Sequence, residues 1–304
     1  MPERLILATR GSRLALAQSE AVRRELCRLH PGLRVELLTL KTRGDRVLDR
    51  PLSEIPGKGL FTREIELALL DGRAHLAVHS LKDMPVELPE GLVLAAMPLR
   101  EDPRDVLVCR EAKNLDELPP GARIGTGSPR RRAQLAHYRP DLSFSPLRGN
   151  VETRLRRLAE EGLDAIVLAG AGLIRLGLAD RITRWLSPQV MVPAAGQGII
   201  AVEARSDDAA TLGLLVALDC PHSRACAAAE RAALLALGGG CRVPVGILAR
   251  VEGDRCTVDG VALGHAGTPC YRARVSGPIA QAEALGSELA AELLGQGAGA
   301  LLEG

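Results

Sequence analysis

Hydrophobic and polar residues alternate along this chain in two rhythms. Leu5-Ile6-Leu7-Ala8-Thr9 is a short unbroken apolar run, the pattern of a buried strand. Arg10-Gly11-Ser12 turns out of it. Leu14, Gln18, Ala21, Val22, Leu26 and Leu29 then follow at helical spacing. Residues 34–40 read as a second strand. Residues 42–59 carry glycine, proline and charge with little periodicity, and a connection of that length usually covers or binds something. A helix resumes over 61–70, with Phe61, Ile65, Ala68 and Leu69 on one face, and strands are predicted over 75–80 and 92–97. Strands alternating with helices predict an α/β domain with a mainly parallel sheet.

Residues 100–105 (Arg-Glu-Asp-Pro-Arg-Asp) are polar and contain proline, so they read as a linker. The rhythm then restarts: strand over 122–125, helix over 129–138, helix over 150–162, strand over 164–169, and a turn at 193–198. Two similar α/β lobes would leave a cleft between them, the usual place for a ligand in such architectures. The character changes after about Asp219. A helix over 222–237 leads into a glycine run, strands follow over 245–251, 256–263 and 272–275, and a helix over 279–294 closes the pattern. That order predicts a small α+β domain. No repeat of fixed period is visible.

Composition narrows the function classes. A chain of 304 residues exceeds what one core usually fills, and 46% apolar with 25% charged residues describes an ordinary globular protein. The net charge of +2 gives no bulk attraction to nucleic acid or to a membrane surface. Apart from Lys41, Lys58, Lys82 and Lys113 every side-chain cation of the Lys/Arg class is arginine. Genomic base composition explains that bias without function, but the rigid guanidinium fork also suits carboxylates. The seven cysteines are odd in number, widely spread and form no Cys-x-x-Cys. The nearest approach to a metal cluster, Cys220-Pro221-His222 with Cys226, fits no common zinc spacing, so no metal is expected. Residues 1–4 open directly into a strand with no apolar leader, and no run has transmembrane length; a cytoplasmic protein with reduced thiols and no membrane partner is expected.

Several segments carry candidate chemistry. Gly238-Gly239-Gly240-Cys241 ends a glycine run in a sulfur, which reads either as a presented thiol or as a hinge with an ordinary cysteine. His79-Ser80-Leu81-Lys82-Asp83-Met84-Pro85 lies at the C-terminal end of a strand, the ligand edge of an α/β sheet, and puts a hydroxyl, a cation and a carboxylate within four residues; the plain reading is a polar turn. Gly125-Thr126-Gly127-Ser128-Pro129-Arg130-Arg131-Arg132 places Ser128 as N-cap and Pro129 at the first helical position. Arginines there oppose the helix dipole, which favours an anion partner over a merely solvated turn. Arg148 and Arg154 flank a helix start capped by Asn150, and Arg10 and Arg175 sit at further strand-to-loop edges. Together they suggest arginine walls around one carboxylate, Asp83, and one thiol, Cys241. Charge-assisted contacts of about 1.5–3 kcal/mol each suit a ligand with many carboxylates. Nucleic acid, the competing polyanion, wants stacking aromatics, and aromatics are 2% of this chain. A two-lobed anion binder without catalysis is the alternative, but it would need neither Cys241 nor Asp83.

Seven motifs in order resemble the porphobilinogen deaminase (hydroxymethylbilane synthase) family over essentially the whole length: Ala8-Thr9-Arg10 with Ser12, Thr42-Arg43-Gly44-Asp45, Gly57-Lys58-Gly59-Leu60-Phe61, Val78-His79-Ser80-Leu81-Lys82-Asp83, Arg148-Gly149-Asn150, Pro193-Ala194-Ala195-Gly196-Gln197-Gly198, and Gly239-Gly240-Cys241 with Val243-Pro244. The resemblance implies a monomeric enzyme that joins four porphobilinogen molecules head to tail, releasing ammonia, to give hydroxymethylbilane. It implies a dipyrromethane cofactor attached by a thioether to Cys241, and Asp83 as the catalytic carboxylate. By the same resemblance Arg10, Ser12, Lys82, Thr126, Ser128, Arg130, Arg131, Arg148, Arg154 and Arg175 bind carboxylates of cofactor and substrate. Lys58, Phe61, Ser80 and Gln197 are further expected contacts, and the 42–59 segment is an expected cover. Two periplasmic-binding-protein-like lobes are implied, 1–99 with 199–217 and 104–193, followed by an α+β domain at 221–304. Gly127 and Pro129 depart from the family's more usual Ser and Leu, and Arg132 is an extra cation without an assigned role.

Overall fold

The computed structural model describes residues 2–46, 59–238 and 243–302. Lys58, most of the expected cover segment, and Gly239, Gly240 and Cys241 of the glycine run lie outside the described residues.

The contacts divide the chain into two compact units, 1–101 with 199–224, and 102–198 with 225–304. In the first unit β1 (Arg4–Arg10), β2 (Arg34–Leu40), β3 (Leu76–Ser80), β4 (Leu92–Ala96) and β10 (Ile200–Arg205) form one sheet in the order β2-β1-β3-β10-β4. β1 pairs parallel with β2 and β3, while β10 runs antiparallel between β3 and β4. Helix α1 (Arg13–Leu29) covers one face through Val22 and Leu26, and α3 (Arg63–Leu70) covers the other through Ile65, Ala68 and Leu69. A short helix α2 (Arg43–Arg46) begins where the sequence suggests loop. Its Gly44 faces Phe61 so closely that a Cβ there would overlap the ring.

The second unit repeats this arrangement. β5 (Asp105–Cys109), β6 (Arg123–Gly125), β7 (Ser143–Ser145), β8 (Ala165–Ala169) and β9 (Arg184–Trp185) stand in the order β7-β6-β8-β5-β9. Here β5 is the antiparallel strand, in the same position as β10. In both sheets the strand that runs against the others is the first one the chain lays down after its polar linker or its return turn. The expected mainly parallel lobes are therefore present, and each carries one reversed strand that the sequence pattern does not reveal. Helices α4 (Pro129–Tyr138), α5 (Val151–Glu160) and α6 (Gly170–Arg175) flank the sheet. Asp105 is not linker: it is the fully buried first residue of β5.

Helix α7 (Ala209–Leu215) packs in the first unit, and α8 (Pro221–Ala236) precedes the last segment. There β11 (Val245–Glu252), β12 (Arg255–Leu263) and β13 (Cys270–Pro278) form an antiparallel sheet against α9 (Ala282–Leu293), followed by α10 (Gly299–Leu302). Leu289 and Leu293 of α9 fill the space above Gly260, where any side chain would collide with them. This matches the expected small α+β domain.

Candidate active site

In the first unit the site grows from the end of β3. The strand is buried up to His79, and the 3₁₀ turn Leu81–Asp83 follows immediately. Buried Leu81 anchors the turn, its N–H donating to the Ile199 carbonyl at 3.0 Å. Lys82 is half-buried and Asp83 is exposed. Ser80 is held by Gln18 of α1, whose Nε2–H donates to Ser80 Oγ at 2.9 Å while Ser80 O–H reaches Gln18 Oε1 at 3.3 Å. At the end of β1 the Arg10 guanidinium lies 4.1 Å from the Phe61 ring centroid, a cation–π contact that aims the charge. Ser12 caps α1, accepting the Ala15 N–H at 3.3 Å. Arg10, Ser12, Gln18, Phe61, His79, Ser80 and Asp83 all line one small open cavity.

His79 on the wall of this cavity is backed by buried acids. His79 Nε2 lies 3.0 Å from Glu203 Oε2, and both side chains are nearly inaccessible. Glu66 of α3 is buried beside them. Burial pushes its carboxyl up and neighbouring Glu203 adds to this, against the opposing pull of the Thr62 hydroxyl and His79.

In the second unit Ser128 caps α4, accepting the Arg131 N–H at 3.4 Å, and Thr126 Oγ1 accepts the Ser128 N–H at 3.2 Å. Gly127 explains the local departure from the family pattern: a Cβ there would stand 2.7 Å from the Leu147 carbonyl oxygen. Arg130 and Arg131 do not project from the helix start as the sequence suggests. Both turn inward onto Asp105, with Arg130 Nη1 at 2.8 Å and Arg131 Nη2 at 2.7 Å. They also donate to the carbonyls of Val192 and Val167. Burial alone would raise the Asp105 carboxyl, but the two guanidiniums outweigh it and hold it well below the usual carboxylate range. Two arginines on one carboxylate leave one positive charge at that place.

Arg148 is half-buried and has no ion pair or hydrogen bond among the described residues. Arg154 donates to the Gly149 carbonyl at 2.9 Å and Arg175 to that of Gly198 at 2.6 Å. Gln197 is buried and spends its amide on the Pro103 carbonyl at 2.7 Å, which makes it a brace of the 193–198 turn. Arg132 lies 5.9 Å from the Phe144 ring centroid. A half-buried arginine without an internal counter-ion, next to capped helix starts, fits a group that carries carboxylates.

Sequence reasoning missed Gln18, Glu66, Glu203 and Asp105 as polar partners. Gln18 had a signal, a polar residue on an otherwise apolar helix face; the acids had none, because their partners are remote in sequence. Among the described cysteines, burial pushes the thiols of Cys109, to about 11, and of Cys256 up, which makes them poor nucleophiles. Among the described residues no cluster of three or more His, Cys, Asp or Glu could hold a metal, and no helix is long and apolar enough to cross a membrane.

Comparison with known proteins agrees with this chemistry. Residues 5–213 match the family model described as porphobilinogen deaminase, dipyromethane cofactor binding domain, and residues 224–295 match porphobilinogen deaminase, C-terminal domain. The porphobilinogen deaminase of Roseiflexus castenholzii is 52% identical over 304 residues, all of both chains. That of Syntrophotalea carbinolica is 50% identical, covering 98% of this chain and 95% of its own. Among solved structures, the methionine binding protein MetQ aligns with a TM-score of 0.46 at 15% identity, over 72% of this chain and 90% of its own. With both family models matched in order and half of all residues shared with full-length relatives, the chain belongs to the porphobilinogen deaminase family.

Proposed function

We propose that this protein is the transferase that condenses four porphobilinogen molecules head to tail, with loss of ammonia at each addition, to give the linear tetrapyrrole hydroxymethylbilane. The observation that carries the reading is the cavity at the end of β3, where an exposed carboxylate, Asp83, shares one wall with a ring-stacked arginine, Arg10, and two oriented hydroxyls, Ser12 and Ser80.

Porphobilinogen brings two carboxylates, a pyrrole N–H and an aminomethyl group. Arg10 and Ser12 bind its carboxylates, and Lys82 adds a second cation beside Asp83. Asp83 accepts the pyrrole N–H. When the C–N bond of the protonated aminomethyl group breaks, its electron pair leaves with nitrogen as ammonia, and the ring is left as a cationic methylene-pyrrole. The Asp83 carboxylate stabilises that charge, a contribution worth about 10²–10³ in rate for a single well-aimed group. A pyrrole α-carbon then attacks the methylene. The attacking ring must then lose the proton on that α-carbon to regain aromaticity, and Asp83 is the base that takes it, for about another 10²–10⁴.

Dipyrromethane, joined through a thioether at Cys241, supplies the α-carbon from which the product is extended. Its carboxylates, and those added with each unit, are met by Arg148, Arg154 and Arg175, by the capping hydroxyls of Thr126 and Ser128, and by the excess charge of the Arg130–Arg131–Asp105 group. Lys58 and Phe61 complete the surroundings. We take the protein to be a cytoplasmic monomer of three domains, 1–99 with 199–217, 104–193 and 221–304, with no nucleic-acid or membrane partner.

The test is intact-protein mass spectrometry paired with turnover. The active protein should carry the mass of two pyrrole units, and Cys241→Ala should lack it. Asp83→Ala should keep the adduct while turnover falls about 10³-fold or more. Active protein of unmodified mass would remove the thioether, and near-normal turnover in Asp83→Ala would remove that residue from the chemistry.

A further inference from the structure

Beneath the Asp83 cavity lies a group of buried acids that the reaction as described does not use. Glu203 is fully buried in the middle of β10, opposite β3, where Ala201 pairs with His79. One of its oxygens meets His79 Nε2; the other, Oε1, has no hydrogen-bond partner among the described residues. Glu66, from α3 on the neighbouring face, also has a buried Oε1 with no hydrogen-bond partner among the described residues, although the Thr62 hydroxyl still acts on its carboxyl. Two adjacent buried carboxylates with vacant oxygens are costly if both are charged, and one proton between them satisfies both vacancies.

Among the described residues, the charges on elements packed against α3 are engaged elsewhere. Among the described residues, the elements packed most closely against α3 are β1, β3, β4 and β10. β4 has no charged residue. On β1, Arg4 pairs with Glu36 and Arg10 stacks on Phe61. On β10, Arg205 reaches Asp207 and the Leu69 carbonyl. Among the described residues, Glu203 and His79 act on Glu66 as charges, together with the hydroxyl of Thr62 on its own side.

We propose that Glu66 is held as the neutral acid and donates its proton to Glu203, so that Glu66–Glu203–His79 forms a buried hydrogen-bonded chain with a single negative charge, and that Glu66 and Glu203 are positioning residues for the end of β3. Glu203, accepting from both sides, fixes His79 with hydrogen on Nε2. The chain clamps α3, β10 and β3 together directly behind Ser80, Lys82 and Asp83. A second charge in the chain would drive α3 and β10 apart and displace that turn. The positioning role rests on Asp83 acting from this cavity; the proton itself does not.

Infrared difference spectroscopy on the cofactor-loaded protein reads the proton directly. The C=O stretch of a neutral buried carboxylic acid should be present at neutral pH, absent in Glu66→Gln, and retained in Asp83→Asn. Turnover should fall at least tenfold in Glu66→Ala and return to within about threefold of the parent in Glu66→Gln, whose amide still donates to Glu203. If Glu66→Ala does not fold, the pH profile decides instead. Raising pH should cost the parent activity as Glu66 ionises, and Glu66→Gln should lose that limb. A spectrum without the acid band overturns the proposal, as ordered water would then satisfy the vacant oxygens. A band with unchanged turnover in Glu66→Ala, or identical alkaline limbs, overturns the positioning role. Normal turnover in Asp83→Ala with the band intact would instead remove only the catalytic reading of that residue.

Discussion

Asp105 shows how one side chain can organise others that bear on function. It draws two arginines from the first turn of α4 into the interior, against the helix dipole. Removing its charge would leave two guanidiniums buried and unpaired. Asp105→Asn should therefore lose about 3–5 kcal/mol at neutral pH, read by urea denaturation. A loss below about 1 kcal/mol would mean that the arginines find other partners. The pH dependence follows from the depressed carboxyl. Its contribution is present above the ordinary value of 3.8 and is lost as pH falls toward the folded-state value, so parent and variant should converge in acid.

At the scale of elements, the helix starts do the positioning. Asn150 caps α5 by accepting the Thr153 N–H at 2.8 Å, and Gly149 before it takes a φ of +104°. A Cβ at 149 would also stand 2.7 Å from Thr153 Cγ2. Gly149→Ala should cost about 1–3 kcal/mol and, because Arg148 and Arg154 flank this turn, should raise the KM for porphobilinogen. An unchanged KM would separate the turn from substrate binding. Much at this scale was legible in the sequence. The helix over 129–138 and its Ser128 cap follow from Ser-Pro and the spacing behind it, because capping is local chemistry. The reversed strands were not legible. Ile200–Arg205 carries Glu203 at a fully buried position, which breaks any strand pattern, and only His79, distant in sequence, explains it.

For the molecule as a whole, charge is better described by pairing than by count. Arg4, Arg23, Arg28, Arg104, Arg139, Arg205 and Arg224 are all in ion pairs with nearby acids, so the arginine excess does not leave a general polyanion surface. Titration with a single-stranded oligonucleotide at physiological salt should show no saturable binding. Micromolar binding with a steep salt slope would contradict that.

The sequence by itself determined the α/β and α+β classes, the caps, the family motifs and the candidates Asp83 and Cys241, because periodicity, capping and motif order are properties of neighbours along the chain. Tertiary structure alone decided which of the arginines face inward. It turned Arg130 and Arg131 onto Asp105, gave Gln197 a bracing role, set Gln18 against Ser80 and brought Glu66 to Glu203 and His79. Whether a charged side chain is free for a ligand or consumed by the fold depends on what burial places beside it, and that partner can come from any distance along the chain.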